Sequence, residues 1–418
     1  MFRGKIRGKL RGKLVVLGGV VAVLLAGCAG QPEPIRAVPL GQVQKVAPSA
    51  DQARAIASFG ERLFAEVRKE GEPNPVISPL SVFYALGMAG DGAVGETAAA
   101  FEKVFGLNAE QARQVAAYLL AELAEPGQGT TLTSAQSVWL DDGLTVKQDW
   151  VDRVQAYYQA EAVKTDLGDP AIAERVNDWI KGKTNGLIPK MLEQPLDPGT
   201  VALLINALYL KAAWAQEFTT GDTRPAPFHP ASGGAVEADF MNAHYGSARC
   251  VDTGSATGIV LPYSDGRLAF LAAMPSDGEL TLDGDTITGL LSAAKDCANV
   301  ALSMPKFDTQ YGASLVPALT ALGLGVAFDA DHADFSGMTP QSVYIDDVLH
   351  KVSMSVGEKG TEAAAATVVV IAEMALPVED VSLTFDRPYV YAVVDQATGV
   401  PLFVGAMDDP SKAPPAAK

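Results

Sequence analysis

The residue types that perform chemistry are sparse in this chain, and their spacing is poor. Four histidines, His229, His244, His332 and His350, are scattered without metal-ligand spacing, so neither a metal nor a cofactor is expected. No G-x-S-x-G elbow, Walker-type phosphate loop or G-x-G-x-x-G follows a strand pattern. Ser292-Ala293-Ala294-Lys295 has the S-x-x-K spacing of serine acyl transfer, and Lys183-Thr184-Asn185 approaches K-T-G. That triplet precedes the serine instead of following it, no S-D-N lies between them, and Ser292 falls on an ordinary amphipathic helix. No catalytic residue is assigned, and the chain is not expected to be an enzyme.

Two other places carry chemistry that is done to the chain. The first is Cys28. Arg3, Lys5, Arg7, Lys9, Arg11 and Lys13 form a basic stretch, Leu14 to Ala26 an apolar one too short to span a bilayer comfortably, and Leu25-Ala26-Gly27-Cys28 closes it. This resembles the signal peptide and lipobox of bacterial lipoproteins, which implies removal of residues 1–27 and acylation of Cys28. Each buried CH₂ of such chains contributes about 0.8 kcal/mol, enough for a firm membrane anchor. The expected location is extracytoplasmic, lipid-anchored to the bacterial cell envelope at the outer membrane or cell surface. Removing six basic residues from a net charge of −17 leaves −23 for the mature chain, which excludes nucleic acid as a partner. With Cys28 committed to lipid, Cys250 and Cys297 are left either to pair or to stay free.

The second place is Glu358-Lys359-Gly360-Thr361-Glu362-Ala363-Ala364-Ala365-Ala366, running on into Thr367-Val368-Val369-Val370-Ile371-Ala372. A glycine and four alanines lead into a β-branched run, which is an ordinary strand when buried and an aggregation hazard when exposed. With a strand's period of two, Thr361, Ala363, Ala365, Thr367, Val369 and Ile371 share a face without charge, and Glu362 falls on the other. The segment could therefore enter the middle of a sheet without burying an ion, which would cost several kcal/mol.

The elements around these sites read as α+β. At 48% hydrophobic and 19% charged, the 418 residues suffice for a large core. Residues 29–48 are rich in Pro, Gly, Gln and Ala and read as a flexible tether. Helical periodicity begins at Asp51, with Ile56, Phe59, Leu63 and Phe64 on one face. Asn74 to Ile77 reads as a short strand, Ser78-Pro79 as the start of a buried helix, and Glu96–Phe105 and Glu110–Leu123 as further helices. Strands follow at Ser134–Leu140, Ala202–Leu210, Gly258–Pro262, Leu268–Met274, Val300–Met304, Val390–Asp395 and Leu402–Met407. Helices first and strands later, without βαβ alternation, predict a mainly antiparallel sheet system. Asn206 interrupts an apolar strand and is expected to have a buried polar partner.

From about Asp51 to Pro410 the chain resembles the serpins. The resemblance rests on Asn74-Pro75-Val76-Ile77-Ser78-Pro79-Leu80-Ser81, on Val176-Asn177-Asp178-Trp179-Ile180 with Thr184-Asn185-Gly186-Leu187-Ile188, and on Ile205-Asn206-Ala207-Leu208-Tyr209-Leu210-Lys211 with Trp214 and Phe218. Leu261-Pro262-Tyr263, Met304-Pro305-Lys306-Phe307, Asp334-Phe335-Ser336-Gly337, His350-Lys351, the glycine-alanine stretch, Phe385-Asp386-Arg387-Pro388-Tyr389 and Leu402-Phe403-Val404-Gly405 follow in family order. The resemblance implies helices plus three β-sheets with an exposed reactive-centre loop at about 358–380. It divides the chain into a signal peptide (1–27), a lipidated cysteine and tether (28–48), a serpin domain (49–411) and a tail (412–418). The implied activity is suicide-substrate inhibition of a serine protease by a monomer, with the protease held as a covalent acyl-enzyme. A non-inhibitory binding or structural module is the alternative.

Residue by residue, the resemblance implies a hinge at Glu358, Gly360, Thr361, Glu362 and Ala363 to Ala366, and a shutter of Ser78, Ser81, Asn206 and His350 that would supply Asn206 with its partner. It also implies a breach of Trp214, Lys306 and Glu358, the last two as a salt bridge. The family's spacing from Glu358 implies cleavage between Met374 and Ala375. Met374 suits elastase-, chymotrypsin- or subtilisin-like pockets rather than a trypsin-like one. The distance on to Phe385 is longer than in many members, which leaves Glu373, Ala375 and Leu376 as alternative cleavage points.

Overall fold

The computed structural model describes residues 33–35, 43–125, 127–186, 188–196, 199–231, 233–361 and 380–412. In chain order the helices are α1 (Ala50–Arg68), α2 (Pro79–Gly90), α3 (Gly95–Phe105), α4 (Ala109–Leu123), α5 (Gln148–Tyr158), α6 (Ile172–Lys183), α7 (Thr286–Ala293) and the single turn α8 (Val316–Leu319). The strands are β1 (Glu33–Pro34), β2 (Val76–Ile77), β3 (Thr130–Asp141), β4 (Glu161–Thr165), β5 (Ala202–Ala213), β6 (Arg224–Phe228), β7 (Val236–Asp252), β8 (Ala256–Pro262), β9 (Leu268–Pro275), β10 (Lys295–Pro305), β11 (Phe307–Ser314), β12 (Leu349–Gly357), β13 (Gly360–Thr361), β14 (Val381–Thr384), β15 (Tyr389–Asp395) and β16 (Pro401–Met407).

Local sequence accounts for the helix starts. Ser49 caps α1 and forms a capping box with Gln52, and Asn108 does the same for α4 with Gln111. Ser78 caps α2 with its hydroxyl, Pro79 occupies the first helical position, and nearly every residue that follows is buried, as an all-round apolar helix requires.

Among the described residues, seven strands pair in the order β1-β4-β3-β5-β13-β12-β11. A second ladder runs β14-β10-β7-β8-β9-β15-β16-β2, with β6 on β7. The three sheets implied by the family thus form two hydrogen-bonded networks. The 17-residue β7 causes this, because it pairs with β6 and β10 along its length and with β8 at its end. The main core lies between the helices and these sheets, and a smaller cluster of Trp139, Ile172, Val176, Ile180 and Ile205 packs α6 onto the other face of β3 and β5.

Two features add to the sequence reading. Within the stretch read as a tether, β1 pairs antiparallel with β4, the Ile35 N–H donates to the Ala162 carbonyl at 2.9 Å, and Ile35 packs against the core. The proline-rich composition hides one apolar residue that the open edge of β4 can use. Cys250 and Cys297, left undecided, form a disulfide, because the β7–β10 register brings their Cα atoms to 5.9 Å. Asn74 has a purpose that its motif did not disclose. Its side-chain oxygen accepts from the Asp408 and Asp409 N–H groups and its amide donates to the Asp409 carbonyl, tying the chain's last strand to β2.

Candidate functional site

Among the described residues, the seven-stranded sheet is bridged at its centre by only two. Thr361 stands opposite Ala212 on β5 and Val356 on β12, while Gly360 stands opposite Ala213 and Gly357. Below that point β5 and β12 have no strand between them among the described residues, although β5 continues to Ala202 and β12 to Leu349. A cavity of about 700 Å³ lies there, lined by Ser78, Ser81, Leu204, Asn206, His350 and Val352 among others.

The bridging residues are held firmly. Gly360 has φ +146°, and a side chain there would come within 2.0 Å of the Ala212 carbonyl oxygen, so only glycine fits. Thr361 is 2% exposed, its hydroxyl 2.6 Å from that of Tyr263. Trp214 stacks on the same Tyr263 at 4.8 Å, and its indole N–H donates to the Gly357 carbonyl at 2.9 Å. The backbone N–H groups of Trp214 and Phe218 donate to the carbonyls of Lys359 and Glu358. Three residues that the family spreads over the chain therefore meet here. Lys306 Nζ lies 3.6 Å from Glu358 Oε1, at the long end of an ion pair, and 3.5 Å from Asp239. The shorter bond to Glu358 comes from the Thr223 hydroxyl at 2.8 Å, which sequence reasoning missed because Thr223 belongs to no motif. Burial works to raise the Glu358 pKa, but its own backbone N–H, Thr223 and Lys306 together outweigh it and hold the carboxyl below its ordinary value.

Midway along the cavity the polar residues come together with one exception. The Ser78 N–H donates to His350 Nε2 at 3.0 Å, the Ser78 hydroxyl to the Leu402 carbonyl at 2.8 Å, and the Ser81 N–H to Ser78 Oγ at 3.2 Å. Asn206 lines the same cavity without bonding to them. Its amide makes long contacts with Ser134 Oγ (3.4 Å) and the Ala135 carbonyl (3.5 Å), both on β3, and its Oδ1 is buried without a partner among the described residues. The expectation that this cluster supplies the partner of Asn206 is not met among the described residues, because the Asn206 amide turns to β3 instead.

Cys28, Glu362, Ala363, Ala364, Ala365, Ala366, Met374 and Ala375 lie outside the described residues. Ser292 donates its hydroxyl to the Thr288 carbonyl at 2.8 Å, and Lys183 is paired with Glu161 at 2.7 Å, so neither is placed as a nucleophile or base.

Residues 54–410 match the family model described as serpin (serine protease inhibitor). The chain belongs to the serpin family. An uncharacterized serpin-like protein of Thermococcus kodakarensis is 32% identical over 95% of this chain and 98% of its own length. Alpha-1-antiproteinase S of Cavia porcellus is 29% identical over 87% of this chain and 92% of its own. Among solved structures, the thermophilic serpin tengpin matches in its native state with TM-score 0.82 (29% identity, 91% of this chain, 100% of that one) and in its latent state with 0.75 (28% identity, 88% and 100%). Serpins are generally protease inhibitors rather than catalysts, and this chain has the serpin fold.

His350 provides a test of the buried cluster. Burial pushes its pKa from 6.5 down to about 4. The unfolded chain binds the proton first as pH falls, so stability is full above about pH 6.5 and declines toward pH 4, by up to about 3 kcal/mol. His350→Gln keeps an acceptor for Ser78 and removes this titration. Denaturant unfolding of both proteins between pH 4 and 7 should show the parent losing ground to the variant as pH falls, and parallel curves would contradict the assignment.

Proposed function

We propose that this serpin inhibits serine proteases as a suicide substrate and that the stretch following Thr361 becomes a full central strand of the seven-stranded sheet. The observation that carries this reading is the register of β13. Continued antiparallel to both neighbours, it places Ala363 opposite Leu210, Thr367 between Asn206 and His350, and Ile371 opposite Ala202. Thr361 already faces the core, so this register sends the uncharged face of Ala363, Ala365, Thr367, Val369 and Ile371 inward and Glu362 outward. Twelve residues from Thr361 to Ala372 extend over roughly 40 Å, the length of β5. Strand addition of this kind is a process for which serpins are themselves the standing example.

In this reading Glu358, Gly360, Thr361 and the alanines act as the hinge, and Trp214, Lys306 and Glu358 form the breach where entry begins. Ser78, Ser81, Asn206 and His350 act as the shutter through which the strand passes. The hydroxyl of Thr367 would arrive beside Asn206 Oδ1, which has no partner among the described residues. The protease serine attacks the Met374 carbonyl carbon, the bond to Ala375 breaks, and the ester to Met374 persists while the strand enters. Relatives named as antiproteinases support this reading. Acylation of Cys28 would hold the inhibitor on the cell envelope.

Mixing the protein with an elastase should give a covalent complex that survives SDS; clipped serpin and free active protease alone would favour a non-inhibitory module. Thr367→Arg should divert at least about tenfold more encounters to simple cleavage, because insertion would then have to bury an unpaired charge between Asn206 and His350, and unchanged trapping would sink the inward-facing register. Cys28→Ser should release the protein from membranes in fractionated cells; continued membrane association would remove the lipid-anchor assignment.

A further inference from the structure

The described chain resumes at Asp380 and continues into β14, and β14 is poorly held by its own residues. It is a four-residue edge strand on β10, paired in parallel from Val300↔Val381 to Ser303↔Thr384, and only Leu383 among its side chains is buried. Its C-terminal end is well fixed. The Phe385 N–H donates to the Ser303 carbonyl at 2.9 Å, the Phe385 ring is fully buried, and the Asp386 carbonyl accepts from the His229 N–H at 2.7 Å. Its N-terminal end depends on one residue. The Asn299 carbonyl accepts the Asp380 N–H at 3.1 Å, and Asn299 Nδ2 donates to Asp380 Oδ2 at 2.8 Å.

Asn299 is shaped for this contact. It has φ +48° inside β10, a left-handed conformation that asparagine tolerates better than other side chains. The β7–β10 pairing passes from Ala298↔Ser247 to Val300↔Tyr245, so the ladder skips Asn299, and Gly246 stands opposite it. Beyond it Lys295, Asp296 and Ala298 are exposed, and the disulfide from Cys297 to Cys250 reinforces the ladder that pairs that end of β10 with β7.

We infer that Asn299 is a positioning residue that latches Asp380 to β10, with the Cys250–Cys297 disulfide as its strut, and so fixes the C-terminal end of the stretch 362–379. This rests on the reading above, in which that stretch must stay out of the sheet until it is cut. An uncut segment anchored at Thr361 and Asp380 can enter the sheet only as far as the remaining chain reaches back to Asp380. The firmness of the latch therefore sets how readily the intact inhibitor inserts its own loop and loses activity.

The test uses Asn299→Gly, which accepts the left-handed backbone and removes only the amide, Asp380→Ala, the pair together, and Cys250→Ser/Cys297→Ser. Hydrogen exchange of the Val381–Thr384 amides should quicken about five- to tenfold in each single variant, and the pair should be no faster than either alone. The cysteine variant should move in the same direction. Active inhibitor, titrated against elastase after timed warm incubation, should decay faster by a similar factor, leaving an uncut, more urea-resistant protein. Unchanged exchange, or effects of the two substitutions that simply multiply, would overturn the latch. Faster exchange with an unaltered decay of activity would overturn its role in keeping the loop out. If the parent traps no protease, the suicide-substrate reading falls, and exchange together with urea resistance still decides the latch.

Discussion

The structure depends on a sheet whose two central strands, β5 and β12, are bridged among the described residues only by β13. β5 and β12 each present an edge of backbone N–H and C=O groups to a space that only Gly360 and Thr361 enter among the described residues. Unpaired edges and a partly apolar cavity are costly, and folded chains ordinarily close them. Here closure is opposed from both sides. The aromatic stack of Trp214 on Tyr263, with its bonds to Gly357 and Thr361, sets the spacing at the hinge end, and α2 lies beneath the cavity with Ser78 bonded to His350 rather than to β5.

In the suicide-substrate reading proposed above, filling that space is where insertion would gain its free energy. At even about 0.5 kcal/mol net per backbone bond, a strand flanked on both sides for about ten residues gains on the order of 5–10 kcal/mol. This is comparable with the whole stability of an ordinary domain. Burial of Val369 and Ile371 and a partner for Asn206 Oδ1 would add to it. The polar cluster then has two tasks. It keeps a buried core satisfied while the sheet is open, and it can exchange partners when a strand passes.

Much of this was legible in the sequence, because the signals were local. The Ser78-Pro79 helix start, the apolar α2, the strand at Ala202–Leu210 and the alternation after Gly360 each follow from neighbours within a few residues. Long-range pairings were not legible. Thr223 is 135 residues from Glu358, Asn299 is 81 from Asp380, and Asn74 is more than 330 from the carbonyl and amides it binds. None has a local signature, since a Thr, Asn or Asp in a loop reads as turn chemistry. The family resemblance grouped Lys306, Glu358 and Trp214, which lie near one another in the structure, but it also implied for Asn206 a partner in the Ser78–His350 cluster that no contact among the described residues supplies. Ile35 on β4 escaped because composition over a window masks a single anchoring residue.

The central claim is that the segment after Thr361 fills the gap between β5 and β12 once it is cut. Hydrogen exchange before and after limited proteolysis within residues 362–379 tests it most directly. The account predicts that the amides of β5 facing the gap and those of Leu349 to Ser355 become strongly protected on cleavage, together with a large rise in thermal stability. Unchanged protection along those two strands in the cleaved protein would contradict it.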